Sequence, residues 1–239
     1  TAVVAAVEEG SPVKTIAEIS QTAGGWGIVV GEDSPLETLD DIEQGAAISF
    51  TSEGSLSHWF ALWAAKQAGL SPTDVTGVPL GGSVPAIGAA LDKGDVDAAA
   101  VLLPWGHILE DEGKRWLARF EDELPEMNYT GLHANESVLD DGDKAARVVG
   151  AYVLTAQWMN DNPEETIEFI SNQYDLEEDL AEVAYELVVP DLNPTGEFTE
   201  ERMQFLLDTV AEVPGFVEGS LEVDDILENV APAACDATE

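Results

Sequence analysis

The sequence predicts an α/β protein with an open sheet that helices cover on both faces. Residues 47–103 alternate between short apolar segments and amphipathic ones, in the order β-α-β-α-β. Their strand segments are almost continuously apolar, which is typical of strands buried on both faces. Gly/Ser loops follow two of the strands, and open α/β sheets bind ligands at the carboxyl ends of their strands.

The first strand and helix of this segment are its most informative part. A β-rich run at residues 47–51 meets a Gly/Ser turn, and the helix that follows is predicted to end at Gly69. The apolar residues of this helix recur at helical spacing: Leu56, Trp59, Phe60 and Trp63. Trp59 and Trp63 are at least as well suited to the core as to a ligand cleft.

The start of this helix is a predicted anion site. Gly54, Ser55 and Ser57 lie where the first N–H groups lack intrahelical acceptors and where the helix dipole is positive. The alternative is that Ser55 only caps a core helix, which is the commoner role of such a serine. His58 can donate to a ligand from this first turn, although a packed or solvated histidine is the commoner case.

The next strand is predicted at residues 75–80, and a second Gly/Ser loop follows it. That loop opens a helix over residues 84–93, in which Pro85 suits the first turn and Gly94 the end. A third strand is predicted over residues 96–103. The two loops therefore lie at the carboxyl ends of neighbouring strands.

The chain is strongly acidic. Its 239 residues include 48 Asp and Glu against 9 Lys and Arg, for a formal net charge of −39, yet 45% of them are hydrophobic. This composition excludes a disordered acidic chain, and the charge indicates adaptation to high salt. The alternative is divalent-metal binding, but no EF-hand loop occurs, and residues 140–143 better fit a loop that ends in a helix N-cap. Nucleic acid and anionic membranes are disfavoured as partners.

Several classes of protein find no support in the sequence. The single cysteine, Cys235, can form neither an internal disulfide nor a Cys-based zinc site. No apolar run approaches the roughly 20 residues that span a bilayer. No signal peptide is visible at residues 1–7, because a basic segment is missing there. No metal and no cofactor are predicted.

The second half of the sequence is predicted to be helical. Apolar residues of the segment 143–160 recur on one helix face. Four further helices are predicted at residues 164–174 after Asn162-Pro163, at 176–189 capped by Asp175, at 200–213 capped by Thr199, and around 224–230.

Catalytic constellations are mostly missing. The histidines, His58, His107 and His133, are far apart in the sequence and have no metal-ligand spacing, and neither a nucleophile elbow nor a phosphate loop occurs. His107 is better suited to the surface or to a position between the lobes than to a general base. Trp26 and Trp105 are candidates to line a ligand cleft.

Four stretches together resemble the substrate-binding proteins of ABC importers, in the group that takes up nitrate, taurine, alkanesulfonates and thiamine precursors. These stretches are Gly-Ser-Pro-Val-Lys at 10–14, Leu-Asp-Asp-Ile at 39–42, Ala-Ala-Leu-Asp-Lys-Gly-Asp-Val-Asp-Ala at 89–98 leading to Pro104, and Ala-Gln-Trp-Met-Asn-Asp-Asn-Pro-Glu-Glu at 156–165. Each is modest alone, but their order is specific. The resemblance covers most of the chain and implies a two-lobed periplasmic-binding-protein fold of type 2, with open mixed sheets and a helical C-terminal part.

The resemblance also implies a ligand site and a division into lobes. The family's ligand contacts fall on Gly54, Ser55, Ser57, Gly81, Gly82, Ser83, Pro104 and Trp105, beside which His58 and Trp26 stand as our own candidates. Lobe 1 would comprise residues 1–30 and 133–239, and lobe 2 residues 31–128, with a hinge crossing at 129–132. A first crossing is expected near residues 28–31.

The function that the resemblance implies is capture of a small, anionic solute and its delivery to the transmembrane subunits of an ABC permease. We expect a monomer that is not an enzyme, outside the cytoplasm and anchored at the cell surface in the full-length protein. The first alternative is an enzyme similar to the pyrimidine-precursor synthases of this fold, but they rely on a cysteine-rich motif that Cys235 does not provide. The second is the ligand-sensing domain of a regulator.

The resemblance further suggests that the chain is incomplete at its N-terminus. Residues 1–10 have the pattern of a helix end with Gly10 as its stop, and a strand is predicted to open at Val13. In the family, several tens of residues precede this point, including the first strand and a loop that faces the ligand. The alternative is a naturally short member.

Overall fold

The protein is described from a computed structural model that covers residues 1–124, 126–128, 130–217 and 221–233. The strands are β1 (Val13–Glu18), β2 (Trp26–Val30), β3 (Ala47–Phe50), β4 (Thr76–Pro79), β5 (Ala98–Leu102), β6 (Arg115–Arg119) and β7 (Gly131–Asn135). The helices are α1 (Ala2–Glu8), α2 (Leu56–Gln67), α3 (Val84–Lys93), α4 (Trp105–Asp111), α5 (Phe120–Glu123), α6 (Glu136–Leu139), α7 (Gly142–Asp161), α8 (Pro163–Tyr174), α9 (Glu178–Val188), α10 (Glu200–Ala211) and α11 (Val223–Ile226). None of the described helices is long and apolar enough to cross a membrane.

The chain forms two compact units. Unit 1 comprises Thr1–Ala2, Gly24–Pro125 and Thr209–Glu218, and unit 2 comprises Val3–Ala23, Glu126–Asp208 and Gly219–Glu239. The predicted lobe boundaries stay a prediction, and the hinge crossing at 129–132 begins at Tyr129, which lies outside the described residues. One strand differs from the predicted grouping, because residues 26–30 form β2 in the sheet of unit 1.

Unit 1 is built on a five-stranded mixed sheet in the order β4-β3-β5-β2-β6. Strand β3 is parallel to β4 and β5, whereas β2 is antiparallel to both β5 and β6. The predicted β-α-β-α-β order is therefore confirmed, in the segment from β3 to β5. Strand β4 lies at the edge and is mostly exposed, so it is not buried on both faces as predicted. Its Pro79, which has no N–H to donate to a further strand, suits an edge position.

Helices cover the central strands of this sheet on both faces. Val29, Ala99 and Val101 pack with residues of α3 and α4 in one apolar cluster. The alternate residues of β2 and β5 are buried as well, which requires cover on the second face because neighbouring side chains of a strand point to opposite faces. Helix α2 carries the largest buried side chains of unit 1. Trp59 and Phe60 are fully buried and Trp63 is nearly so, which confirms the core role of Trp59 and Trp63.

Unit 2 combines a two-stranded antiparallel sheet, β1 with β7, and the helices of the second half. Helix α7 begins where the 140–143 loop predicted it, because the Asp141 side chain accepts the Lys144 N–H at 3.2 Å. Thr199 likewise caps α10 through the Arg202 N–H at 3.3 Å. The predicted cap at Asp175 is wrong: that residue ends α8 with a φ of 53°, a left-handed conformation that Asp tolerates, and α9 begins only at Glu178.

Candidate functional site

The predicted site residues of unit 1 lie at one end of its sheet. The parallel strands β4, β3 and β5 end there, and the antiparallel strand β2 begins there. Gly81 to Ser83 follow β4, and Gly54 to His58 follow β3. Pro104 and Trp105 follow β5, and Trp26 is the first residue of β2. The topology therefore brings all ten candidate residues to neighbouring strand ends, spaced by about 4.8 Å per strand.

Three hydroxyl groups form a cluster at the start of α2. Thr51 Oγ1 lies 3.1 Å from Ser55 Oγ and 2.8 Å from Ser57 Oγ, and the two serine oxygens are 2.9 Å apart. We call Thr51, Ser55 and Ser57 the hydroxyl cluster. It lies between the end of β3 and the N-terminus of a helix of 12 residues, where the helix dipole favours negative charge.

Ser55 is the N-cap of α2, which agrees with the alternative prediction that this serine caps a core helix. Its hydroxyl oxygen accepts the His58 N–H at 3.2 Å and its proton goes to the Ser52 carbonyl at 2.6 Å. Its donor is therefore engaged within the turn. Ser55 therefore has a structural role at the helix start.

Thr51 is the exposed member of the hydroxyl cluster, and Ser57 is buried. The Thr51 N–H donates to Ser57 Oγ at 3.0 Å, so Ser57 holds the end of β3 against the start of α2. The Thr51 hydroxyl donates to Ser55 Oγ at 3.1 Å; because it is exposed, rotation about one bond can redirect its proton toward solvent. Sequence reasoning missed Thr51, although its place at the end of the 47–51 strand was the available signal.

Backbone groups supply the other donors. The N–H groups of Leu56 and Ser57, in the first turn of α2, have no intrahelical acceptor. Gly54 and Gly81 adopt φ values of 74° and 68°, and no atom lies within 4 Å of the position that a Cβ would take at either glycine. Because both surfaces are open, a ligand can approach the backbone closely. The two loops are tied together, since the Gly81 N–H donates to the Thr51 carbonyl at 3.1 Å.

The remaining candidates differ in how far they are free for a ligand. Gly82 is open in the same way as Gly81, and Ser83 starts α3 without a side-chain capping bond. Trp105 follows Pro104 and packs against the apolar cluster beneath α3 and α4. The Trp26 ring lies 5.4 Å from the Phe60 ring, centroid to centroid, so both tryptophans have packing roles at the site's margin.

His58 is a neutral, half-buried side chain. Its Nδ1 accepts the Gly54 N–H at 3.1 Å, and its ring centroid lies 4.3 Å from Phe50 and 5.9 Å from Phe216. Burial lowers the pKa of the imidazole, and the nearby Glu53 carboxylate opposes this only in part. Because Nδ1 is an acceptor, the neutral ring carries its proton on Nε2 and can donate there. Phe216 had no signal in the sequence, because only the fold brings it near residue 58.

The other two histidines have partners elsewhere. His107 Nδ1 lies 2.9 Å from Glu110 Oε2 in α4, and His133 Nδ1 lies 3.1 Å from Thr15 Oγ1 between β7 and β1. Within the described ranges, no group of three or more His, Cys, Asp or Glu residues could hold a metal ion. Cys235 lies outside these ranges.

These units and the strand-end site define a protein with the periplasmic-binding-protein fold. Residues 1–166 match the family described as NMT1/THI5 like, and the chain belongs to this family. A comparison with curated proteins finds no match.

Solved structures share the fold over most of the chain. The periplasmic aliphatic sulphonate binding protein SsuA from Escherichia coli is similar with a TM-score of 0.74 and 21% identity, over 98% of this chain and 75% of that one. The Candida albicans CA3427 gene product, described as having the generic periplasmic binding protein fold, gives 0.77 and 14%, over 100% and 80%. The desulfurization enzyme DSZB gives 0.66 and 17%, over 95% and 81%. At these identities the likeness concerns the fold alone.

Proposed function

We propose that the protein is the solute-binding component of an ABC importer and that it captures a small anionic solute. The observation that carries this proposal is the hydroxyl cluster at the N-terminus of α2, beside the open backbone of Gly81 and Gly82. Such a site offers several neutral donors and a positive dipole end, which together suit an oxyanion.

The acidity of the chain sets the conditions for binding. A net charge of −39 repels anions at long range. At 1 M salt the Debye length is about 3 Å, so the range of this repulsion falls to about that distance. Hydrogen bonds at the helix start act at contact and are not weakened in the same way. The solute is therefore expected to bind more tightly in molar salt than in dilute buffer, which is opposite to an ordinary ion pair.

Sulfonates are the first class of solute to test, because the similar E. coli protein is an aliphatic sulphonate binding protein. Nitrate and taurine remain in the set that the sequence suggested. Delivery to a permease, a position outside the cytoplasm and anchoring at the cell surface belong to the same proposal.

An enzyme is the second candidate function. It is favoured by the name of the family, which includes THI5, and by the shared fold of DSZB. The two functions differ in the fate of the bound molecule, because a binding protein returns it unchanged.

A thermal-shift screen in molar KCl tests the proposal. A solute at about 100 times its dissociation constant stabilises the folded chain by about 2.7 kcal/mol. We expect a sulfonate or a related anion to raise the melting temperature, and mass spectrometry to recover it unchanged. A converted product would instead support the enzyme, and no response to any anion would contradict the proposal.

The variant Thr51→Val tests whether the solute that raises the melting temperature binds at the hydroxyl cluster. The substitution keeps the shape but removes the exposed hydroxyl, so affinity should fall by about 0.5–3 kcal/mol, depending on the charge of the bound group. Thr73→Val is the matched control, because the Thr73 hydroxyl is also exposed and lies 3.0 Å from a serine hydroxyl, that of Ser71. Residue 73 precedes β4, at the other end of the strand from Gly81, so the control should bind like the wild type.

A further inference from the structure

Helix α7 has a second apolar face that is open to solvent. Val148, Leu154 and Trp158 are 47%, 41% and 50% exposed. The opposite face, which includes Ala145, is buried in the apolar cluster of unit 2. We call the exposed face the α7 stripe; its residues are Lys144, Arg147, Val148, Ala151, Leu154, Thr155, Trp158 and Asp161, all of them exposed.

The spacing of the α7 stripe is that of a helix–helix seam. Its members recur three and four residues apart over the 20 residues of the helix, which keeps them on one side and matches the pattern that packs against a second helix. Thr155 fits this seam, because its hydroxyl donates to the Ala151 carbonyl at 2.8 Å and so has an acceptor within its own helix.

The charges of the α7 stripe are separated along its length. Lys144 and Arg147 lie near its start and Asp161 at its end. Throughout the part of the chain that the structure describes, none of the three makes an ion pair. The chain has only 9 basic residues. Two of them, Lys144 and Arg147, lie about one turn apart on this apolar face, beside the carboxylates of Asp141 and Asp143.

We propose that a second copy of the chain docks on the α7 stripe, with the two helices antiparallel about a two-fold axis near Tyr152. In this arrangement Lys144 meets Asp161 of the other copy, the Arg147 guanidinium meets the Trp158 ring, and Ala151 meets Leu154. Each contact occurs twice, as an isologous interface requires. A parallel arrangement would place like charges opposite each other at both ends and is disfavoured.

The dimer forms in concentrated salt. Two copies that each carry −39 repel in dilute buffer, whereas apolar burial by Val148, Leu154 and Trp158 persists in molar KCl. This state would replace the monomer predicted from the sequence, and it is independent of the solute site.

Sedimentation velocity in molar KCl tests the interface. We expect a concentration-dependent dimer for the wild type, and Trp158→Ala should weaken association by about a hundredfold, because it removes the largest apolar side chain of the stripe from both halves of the interface. Phe169→Ala is the matched control, since this α8 aromatic is 62% exposed but is not part of the stripe. A wild type that stays monomeric would overturn the proposal, as would a dimer that Trp158→Ala leaves unchanged.

Charge exchange tests the antiparallel order. At the lowest KCl concentration at which the wild type still dimerises, Lys144→Asp and Asp161→Lys should each weaken the homodimer severalfold, because each brings like charges together at two symmetric contacts. Both changes suit the helix dipole, so folding is retained. An equimolar mixture of these two variants should form a heterodimer, and the double variant should recover the homodimer. Failure of both recoveries would overturn the proposed order.

Discussion

Thr51 and Ser57 are joined by two hydrogen bonds across the turn between β3 and α2. The Thr51 N–H donates to Ser57 Oγ at 3.0 Å, and the two hydroxyl oxygens are 2.8 Å apart. The buried serine thereby fixes the start of α2 before any solute arrives. A site that is ordered in advance loses less conformational entropy on binding.

Ser57→Ala should lower both stability and affinity. The substitution leaves the Thr51 N–H without its acceptor, so the free energy of unfolding should fall by about 1–3 kcal/mol. Urea unfolding in molar KCl measures this, and calorimetry with the solute found in the screen measures affinity. Ser71→Ala is the control, because Ser71 also closes a turn, through Asp74, and should leave affinity unchanged. Equal affinities of Ser57→Ala and the wild type would remove the hydroxyl cluster from the site.

His58 should make the fold sensitive to mild acid. Its pKa is lowered by burial in the folded chain, whereas the unfolded chain has the ordinary value of about 6.5. As pH falls below that value, the unfolded state takes up the proton first, so this part of the stability is present above about pH 6.5 and is lost below it. His58→Gln should reduce the loss. NMR titration of the imidazole checks the cause, and a pKa at or above 6.5 would contradict it.

The Glu18–Arg202 pair in unit 2 should be worth more than a surface pair of equal length. Arg202 Nε lies 2.7 Å from Glu18 Oε1, and the side chains are 30% and 1% exposed. Arg202→Met should lower the free energy of unfolding by about 3 kcal/mol, because among the described residues it leaves the buried carboxylate only its amide donor, Asn193.

Lys66→Met is the control for that prediction. Lys66 Nζ lies at the same 2.7 Å from Glu212, but these side chains are 35% and 53% exposed. Its loss should cost less than about 1 kcal/mol. Urea unfolding of both variants gives the comparison, and equal losses would show that burial of Glu18 does not matter.

Salt should stabilise the fold strongly. Carboxylate repulsion across a chain of charge −39 is screened as KCl rises from dilute to molar concentration. We expect the melting temperature to climb steadily over this range. A flat curve would mean that the acidic residues are compensated in another way, and destabilisation by a chelator would then point to bound divalent cations.

Local signals explain why much of the fold could be predicted. Gly69 and Gly94 stop α2 and α3 with φ values of 75° and 72°, and helical spacing marked α2, α3 and α7. The predicted N-cap at Asp175 was wrong because Asp occurs both as an N-cap and as a left-handed residue at the end of a helix.

Long-range pairing explains what the sequence left open. The antiparallel entry of β2 between β5 and β6 depends on contacts some 70 to 90 residues away, and no local pattern encodes them. The candidate site could be predicted as a set of loops at strand ends, because the β-α-β-α-β order places the loops after parallel strands at the same edge of the sheet. The roles within it depend on side-chain directions, which is why Ser55 proved to be a cap and Thr51 and Phe216 were missed.

Amide NMR during titration with the solute found in the screen tests the central claim most directly. In molar KCl, we expect the largest chemical-shift changes at the N–H groups of Leu56, Ser57 and Gly82, because an oxyanion held there accepts their hydrogen bonds. Val138 is the internal reference, since its N–H lies at another helix start but is capped by Asn135. Saturable binding with shifts confined to other residues would contradict the account.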